Sequence, residues 1–116
     1  MTLSDYCRHD ATGLADLVRR KEISPRELTA LARAAHEKVD PAINAVVEFY
    51  ADAEDVTGPK EGAFAGVPFL RKDVGAKEAG RLQEYGSRLM QGNVATEDSY
   101  YTTSAKAAGL HYVGRS

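Results

Sequence analysis

The hydrophobic and polar positions near the start of the chain predict two successive amphipathic helices. In the first, from Asp10 to Glu22, apolar residues recur at helical spacing, and Asp10 or Thr12 can cap the first turn. These apolar positions are Leu14, Leu17 and Val18. Because a second helix follows after a short break, we expect residues 1–41 to form a helical hairpin that leads into the rest of the fold.

The second helix has the clearer start signal. Ser24 is a capping residue, Pro25 suits the first helical position, and Glu27 completes a capping box at the third. An apolar stripe then runs along one face, formed by Leu28, Leu31, Ala32, Ala35 and Val39. Pro41 is expected to end this helix, because proline disfavours helical backbone at the residue before it.

From residue 42 onward the pattern changes to short apolar runs typical of buried strands. Ala45–Tyr50, Val67–Arg71 and Leu110–Gly114 are rich in β-branched and aromatic residues, and we predict a strand at each. The connections at 51–66 and 74–92 are punctuated by glycine and lack periodicity, which indicates loops.

A third helix is predicted from Asp98 to Ala108. Capping oxygens and negative charge at its start come from Thr96, Glu97 and Asp98, and its apolar stripe from Tyr101, Ala105 and Ala108. Gly109 stands where a left-handed residue can end the helix.

The order of these elements predicts an α/β fold: N-terminal helices, then the first strands of a parallel or mixed sheet flanked by helices. About three strands leave two unprotected edges and too few helices to cover both faces. We therefore expect the sheet to be incomplete in this chain. On this interpretation residues 1–116 are the N-terminal part of a single larger α/β domain, and residues 42–116 are the start of its sheet.

Composition narrows the function classes. The 116 residues carry a net charge of −2, so no basic excess favours nucleic acid or an anionic membrane as a partner. No apolar run approaches the length of a membrane span. The single cysteine, Cys7, cannot form an internal disulfide, which suits a reducing cytoplasm. We expect neither a metal nor a cofactor, because His9, His36 and His111 are dispersed and no glycine-rich phosphate loop occurs.

The residue best placed to carry chemistry is Lys72, directly after the strand Val67–Arg71. The carboxyl end of an open α/β sheet is where ligand sites form. A lysine there would be partly desolvated, which favours the neutral amine that can act as a general base. The structural alternative is a surface lysine paired with Asp73, and from spacing alone this alternative is the more common outcome.

The remaining candidates have weaker signals. Ser87 lies in a Tyr-Gly-Ser-Arg turn with no assignable base beside it, which favours a structural role. His36 is expected on the polar, solvated side of the second helix. Cys7 has no neighbouring motif.

Four stretches, in this order, resemble the N-terminal portion of the amidase signature family of serine hydrolases. They are the helical opening Asp10–Ala15 with Ile23–Leu28, then Pro41–Val46, Gly66–Asp73 and Asp98–Arg115. The Gly-Val-Pro-Phe-Leu-Arg-Lys-Asp stretch is the most specific of the four. Together they span nearly the whole chain, which would be about the first quarter of a typical family member.

The resemblance implies an amidase that cleaves linear carboxylic amides through an acyl-enzyme, using a Ser–cis-Ser–Lys arrangement whose lysine is Lys72. The partners it implies are a small-molecule amide and the missing C-terminal segment. Whether the protein also pairs with a second copy of itself stays open. No serine of the chain lies in the family's Gly/Ser-rich signature. The 116 residues alone are therefore expected to be inactive.

The sequence also departs from the family pattern. Arg71 stands where a small or apolar residue is more usual, and Arg115 replaces a commoner lysine. Two other readings stay open: a non-catalytic interaction module that pairs through an open sheet edge, and a segment of the A subunit of a tRNA-dependent amidotransferase.

Overall fold

The computed structural model describes residues 1–116, which form a mixed α/β structure. Its four α-helices are α1 (Leu3–Tyr6), α2 (Ala11–Arg19), α3 (Pro25–Ile43) and α4 (Tyr100–Ala107). Its three strands are β1 (Glu48–Phe49), β2 (Pro68–Arg71) and β3 (His111–Arg115), and a single 3₁₀ turn spans Arg88–Met90. None of the helices is both long and apolar enough to cross a membrane.

Side-chain caps fix the starts of the N-terminal helices. The Asp10 carboxylate accepts a hydrogen bond from the Gly13 amide at 2.8 Å, and Ser24 and Glu27 form the expected capping box. Sequence periodicity missed α1, a single turn that begins at Thr2 with a capping box of its own. One turn is too short to show a periodic pattern, so its only sequence signal is this cap.

The expectation that Pro41 ends α3 is wrong, because the helix continues to Ile43. Asn44, in the left-handed conformation, closes it by donating its amide to the Asp40 carbonyl at 2.7 Å. The Asp40 carboxylate accepts from the amides of Ala45 and Val46 at 2.8 and 2.9 Å. Since those amides are used locally, the predicted strand over Ala45–Tyr50 shrinks to the two residues of β1.

Two hydrophobic clusters support the fold. The first joins α2 and α3 to the start of β2 through six buried residues: Leu14, Ala15, Leu17, Ile23, Leu28 and Val67. The second joins β3 and α4 to the residues that follow β1 and consists of Tyr50, Ala53, Ala105, Tyr112 and Val113. Burial of this apolar surface is the main stabilising contribution in a domain of this size.

β3 is the central strand of the sheet, whose order is β1-β3-β2. It pairs antiparallel with β1 and parallel with β2, and all five of its residues are buried. β2 is an edge strand, and Leu70 on it is 36% exposed. The carboxyl ends of β2 and β3 therefore lie side by side, with Arg71 opposite Arg115.

The predicted third helix is present as α4, but its cap and buried face differ from expectation. Ser99 is the cap and accepts from the Thr102 amide at 3.2 Å, whereas the Asp98 carboxylate binds the Ala79 amide. Tyr101, expected on the apolar stripe, is exposed, while Thr102 is buried. The helix ends where expected, before Gly109, which has a φ of +99°.

Candidate functional site

Lys72 is the first residue after β2, and the backbone on either side of it is held by one neighbour. Ser116 donates its amide to the Arg71 carbonyl at 2.9 Å and accepts from the Asp73 amide at 2.9 Å. These bonds continue the parallel pairing with β3 past the end of the strand. The main chain of Lys72 is thus fixed from both sides.

The side chain of Lys72 is exposed, which corrects the expectation of partial desolvation. The structural alternative was a surface lysine paired with Asp73. Its surface position agrees with the structure, but the ion pair does not, because the Asp73 carboxylate binds Arg115. Side chains alternate along an extended chain, so Arg71 and Asp73 turn to one side and Lys72 to the other. Lys72 therefore has an amine without an ion-pair partner, at the carboxyl end of a strand whose backbone is hydrogen-bonded to β3.

The side of the chain opposite Lys72 contains a wholly buried guanidinium. Arg71, the last residue of β2, has no exposed surface. Its Nε donates to the Tyr50 hydroxyl at 2.7 Å, and its Nη1 donates to Gln83 Oε1 at 2.6 Å and to the Ala76 carbonyl at 3.2 Å. Its Nη2 donates to the Leu82 carbonyl. These hydrogen bonds replace the water that a buried cation would otherwise require.

A second arginine, Arg115, joins three carboxylates at the end of β3. Its Nε, Nη1 and Nη2 donate respectively to Glu48 at 2.8 Å, Asp73 at 3.0 Å and Glu84 at 2.6 Å. Each guanidinium nitrogen therefore has its own acceptor on a different segment. The network ties β1, the residue after Lys72 and the connection that follows to one point on the central strand.

These contacts shift the acidity of the groups that make them. Burial raises the pKa of Asp73, but hydrogen bonds from Arg115 and from the Glu84 amide outweigh it and hold that pKa below its usual range. The Gly92 amide and then Arg115 lower the pKa of Glu84. Burial raises the pKa of Tyr50 to about 12, against the opposing influence of Arg71. Asp73 and Glu84 are therefore anionic at neutral pH, and Tyr50 carries its proton.

The other candidate residues from the sequence analysis do not lie around Lys72. Ser87 lies at the start of the 3₁₀ turn and borders a cavity of about 320 Å³ together with Asp73 and Glu84, but Lys72 does not line that cavity. Cys7 is exposed and unpaired. No group of three His, Cys, Asp or Glu side chains is arranged to hold a metal ion.

The histidines differ from one another in their surroundings. His111 is buried on β3, with its Nε2 2.9 Å from the Ala53 carbonyl oxygen. The expectation that His36 is solvated is wrong, because its ring stacks on Phe49 with the centroids 5.3 Å apart. Its Nδ1 is buried without a hydrogen-bond partner and lies 3.8 Å from Asp40.

The hydrogen-bond acceptors of Arg71 and Arg115 were not predicted from the sequence. The one available signal was the charge itself, since each arginine replaces a residue more usual in the resembled family and each lies at the end of an apolar strand. An arginine in such a strand requires acceptors, but nothing local identifies which distant residues supply them.

The chain is similar in sequence to amide hydrolases. It is 36% identical over 109 residues to a 6-aminohexanoate-cyclic-dimer hydrolase of Pseudomonas sp. (strain NK87), covering 91% of this chain and 22% of that protein. It is 32% identical over 117 residues to an acylamidase of Rhodococcus erythropolis, covering 90% of this chain and 24% of that enzyme. No protein-family model matches the chain.

A solved structure shares the fold. A bacterial aryl acylamidase, described as a member of the amidase signature enzymes, superposes with a TM-score of 0.80 and 28% sequence identity. The superposition covers 92% of this chain and 24% of the aryl acylamidase. The chain therefore spans about a quarter or less of the length of each of these relatives.

Proposed function

This chain belongs to the amidase signature family, and on that premise we propose that it provides the general base, Lys72, of an enzyme that hydrolyses carboxylic amides. The observation that carries the proposal is the local geometry. Lys72 has a backbone held on both sides by Ser116 and an amine with no competing ion pair. A general base must lie within hydrogen-bond reach of the proton that it takes, and a fixed backbone with an unpaired side chain allows this.

In the proposed reaction the remaining part of the enzyme covers the Lys72 side chain, which is exposed in residues 1–116, and so favours its neutral amine. That amine takes the proton of a bridging serine. That serine takes the proton of the nucleophilic serine, whose oxygen then bonds to the amide carbonyl carbon. The C–N bond breaks as the leaving amine receives, through the bridging serine, the proton that Lys72 had taken, and an acyl ester remains on the enzyme. Water then adds to the ester carbonyl carbon and gives a proton to Lys72 through the bridging serine. The bond to the nucleophilic serine oxygen breaks, that oxygen regains the proton, and the carboxylic acid leaves.

We place both reacting serines in the remaining part of the enzyme. Ser24 and Ser99 cap helices, and Ser87 does not share a cavity with Lys72. The partners of the chain are therefore the segment that carries those serines and a small-molecule amide substrate. Residues 1–116 alone are expected to hydrolyse no amide, and the unpaired Cys7 suits a cytoplasmic location for the enzyme.

The test uses the complete protein that contains residues 1–116. Lys72→Ala should lower kcat/KM by a factor of about 100 or more, which is the contribution of a positioned base. Lys72→Arg should be equally poor, because a guanidinium does not become neutral. The matched control is Lys38→Ala on the exposed part of α3, which should keep its activity. Near-normal turnover by Lys72→Ala would remove this residue from the mechanism.

A second measurement tests the assignment of the serines. A serine-directed phosphonate should leave residues 1–116 unlabelled and should label the complete protein once. Stoichiometric labelling of Ser87 would contradict the proposal, because it would place the nucleophile in this segment.

A further inference from the structure

The buried guanidinium of Arg71 has no part in the proton transfers proposed above, yet it is adjacent to Lys72 in the chain. Its closest carboxylate oxygen, Glu78 Oε2, is 3.8 Å from Nε, beyond hydrogen-bond distance. Neutral oxygens therefore bind the cation directly. A cation enclosed in this way holds its surroundings in a single arrangement, since each acceptor that moves away leaves a buried donor unsatisfied.

The acceptors of Arg71 come from two distant parts of the chain. Tyr50 follows β1, and the other acceptors belong to the connection after Lys72, at Ala76, Leu82 and Gln83. That connection has little regular structure of its own. Arg71 therefore fastens it to the end of β2, on the side of the chain opposite the lysine.

The side chain of Gln83 links the two residues on either side of Lys72. It is also wholly buried, and while its Oε1 accepts from Arg71 its Nε2 donates to the Asp73 carbonyl. Its own backbone is held by Asn93, whose carbonyl accepts from the Gln83 amide at 2.8 Å. One side-chain amide thus binds the residue before Lys72 and the residue after it.

We propose that Arg71 and Gln83 are positioning residues for Lys72, an inference that rests on the proposed role of Lys72 as the base. Ser116 fixes the peptide groups on the β3 side, and the Arg71–Gln83 pair fixes the opposite side. Together these contacts set the direction in which the Lys72 side chain points away from the sheet. Such control matters because a displacement of about 1 Å in a reacting group can lower a rate by about 100-fold.

The test measures the acylation rate per active site in the complete protein, with active sites counted by phosphonate titration. Arg71→Met should lower kcat by about 10- to 100-fold and leave KM within about twofold, because the base is displaced while the substrate pocket is kept. Amide hydrogen exchange at Asp73 and Gln83 should accelerate in the same variant. The control is Arg33→Met, which removes a partly buried arginine bonded to Glu54 and to the Tyr50 carbonyl. It should keep its rate per active site.

Gln83→Glu covers the case in which Arg71→Met does not fold. Glutamate keeps an acceptor for Arg71 but loses the donor to the Asp73 carbonyl, so kcat should fall by about 10-fold or more with the fold retained. A rate per active site unchanged in Gln83→Glu, or lowered equally in Arg33→Met, would overturn the positioning role. If Lys72→Ala is inactive and both positioning variants turn over normally, only this inference fails. If Lys72→Ala is active, the proposed function itself fails.

Discussion

Arg115 donates a hydrogen bond to the Asp73 carboxylate at 3.0 Å, and this bond joins the ends of two parallel strands just beside Lys72. Both side chains are almost fully buried. A buried ion pair of this kind contributes little by being charged, but loss of one partner is strongly destabilising because it leaves the other charge uncompensated. Substitutions in this pair should therefore have a measurable effect on the free energy of unfolding.

The lowered pKa of Asp73 predicts a specific loss of stability in acid. Between its folded-state pKa and the ordinary value near 3.8, the unfolded state binds more protons, so the free energy of unfolding rises with pH. The contribution is complete above that ordinary value and disappears as the pH falls through the lower folded-state pKa. Urea denaturation from pH 2 to pH 7 should show this loss, and Asp73→Asn should flatten the profile. Asp16→Asn, in an exposed pair with Arg19, is the control, and an equal flattening there would contradict the assignment.

Arg115→Lys should destabilise the protein even though the charge is kept. The guanidinium gives separate nitrogens to Glu48, Asp73 and Glu84, and a single ammonium on a flexible chain does not reproduce that geometry. We expect the free energy of unfolding to fall by about 1–3 kcal/mol, measured by urea denaturation at neutral pH. Arg20→Lys, in an exposed pair with Glu22, should change stability little. Equal stability of the two variants would show that the three-way contact contributes nothing.

Gly109→Ala should be more destabilising than a positive φ alone requires. At Gly109, with a φ of +99°, an added Cβ would collide with the Ala65 backbone. Gly92 has a φ of +80° but open space around it, so Gly92→Ala isolates the conformational penalty of about 1 kcal/mol. The melting temperatures of the two variants separate the effects. If both fall equally, the close approach of α4 to the preceding loop has no energetic consequence.

Local signals allowed the elements themselves to be predicted. The capping box at Ser24 and the glycine after α4 depend on residues within one turn of each other, and both were found where expected. The continuation of α3 past Pro41 was not predictable in the same way, because it depends on how the Asp40 carboxylate is shared with the amides that follow.

The surroundings of the candidate site depend on residues far apart in the chain. Arg115 and Glu48 are 67 positions apart, and Arg71 is 21 positions from Tyr50. No periodicity records which distant oxygen an arginine binds, so the sequence indicated unusual arginines without their acceptors. Strand alternation explains why Lys72 and its two neighbours face opposite ways. The catalytic role of Lys72 stays a prediction.

Tyr50→Phe should weaken the attachment of Arg71 without removing any apolar contact. The Tyr50 hydroxyl accepts from Arg71 Nε at 2.7 Å, so the variant leaves a buried donor unsatisfied, at a cost of about 1–3 kcal/mol in urea denaturation. Separately, burial raises the pKa of Tyr50 to about 12, because the folded state favours the neutral phenol. This contribution to the free energy of unfolding is complete below pH 10 and is lost as the pH rises through about 12, and Tyr50→Phe should remove that alkaline loss. Tyr101→Phe, at an exposed position, is the matched control. If the two variants had the same stability at neutral pH, the Tyr50 hydroxyl would not be holding Arg71.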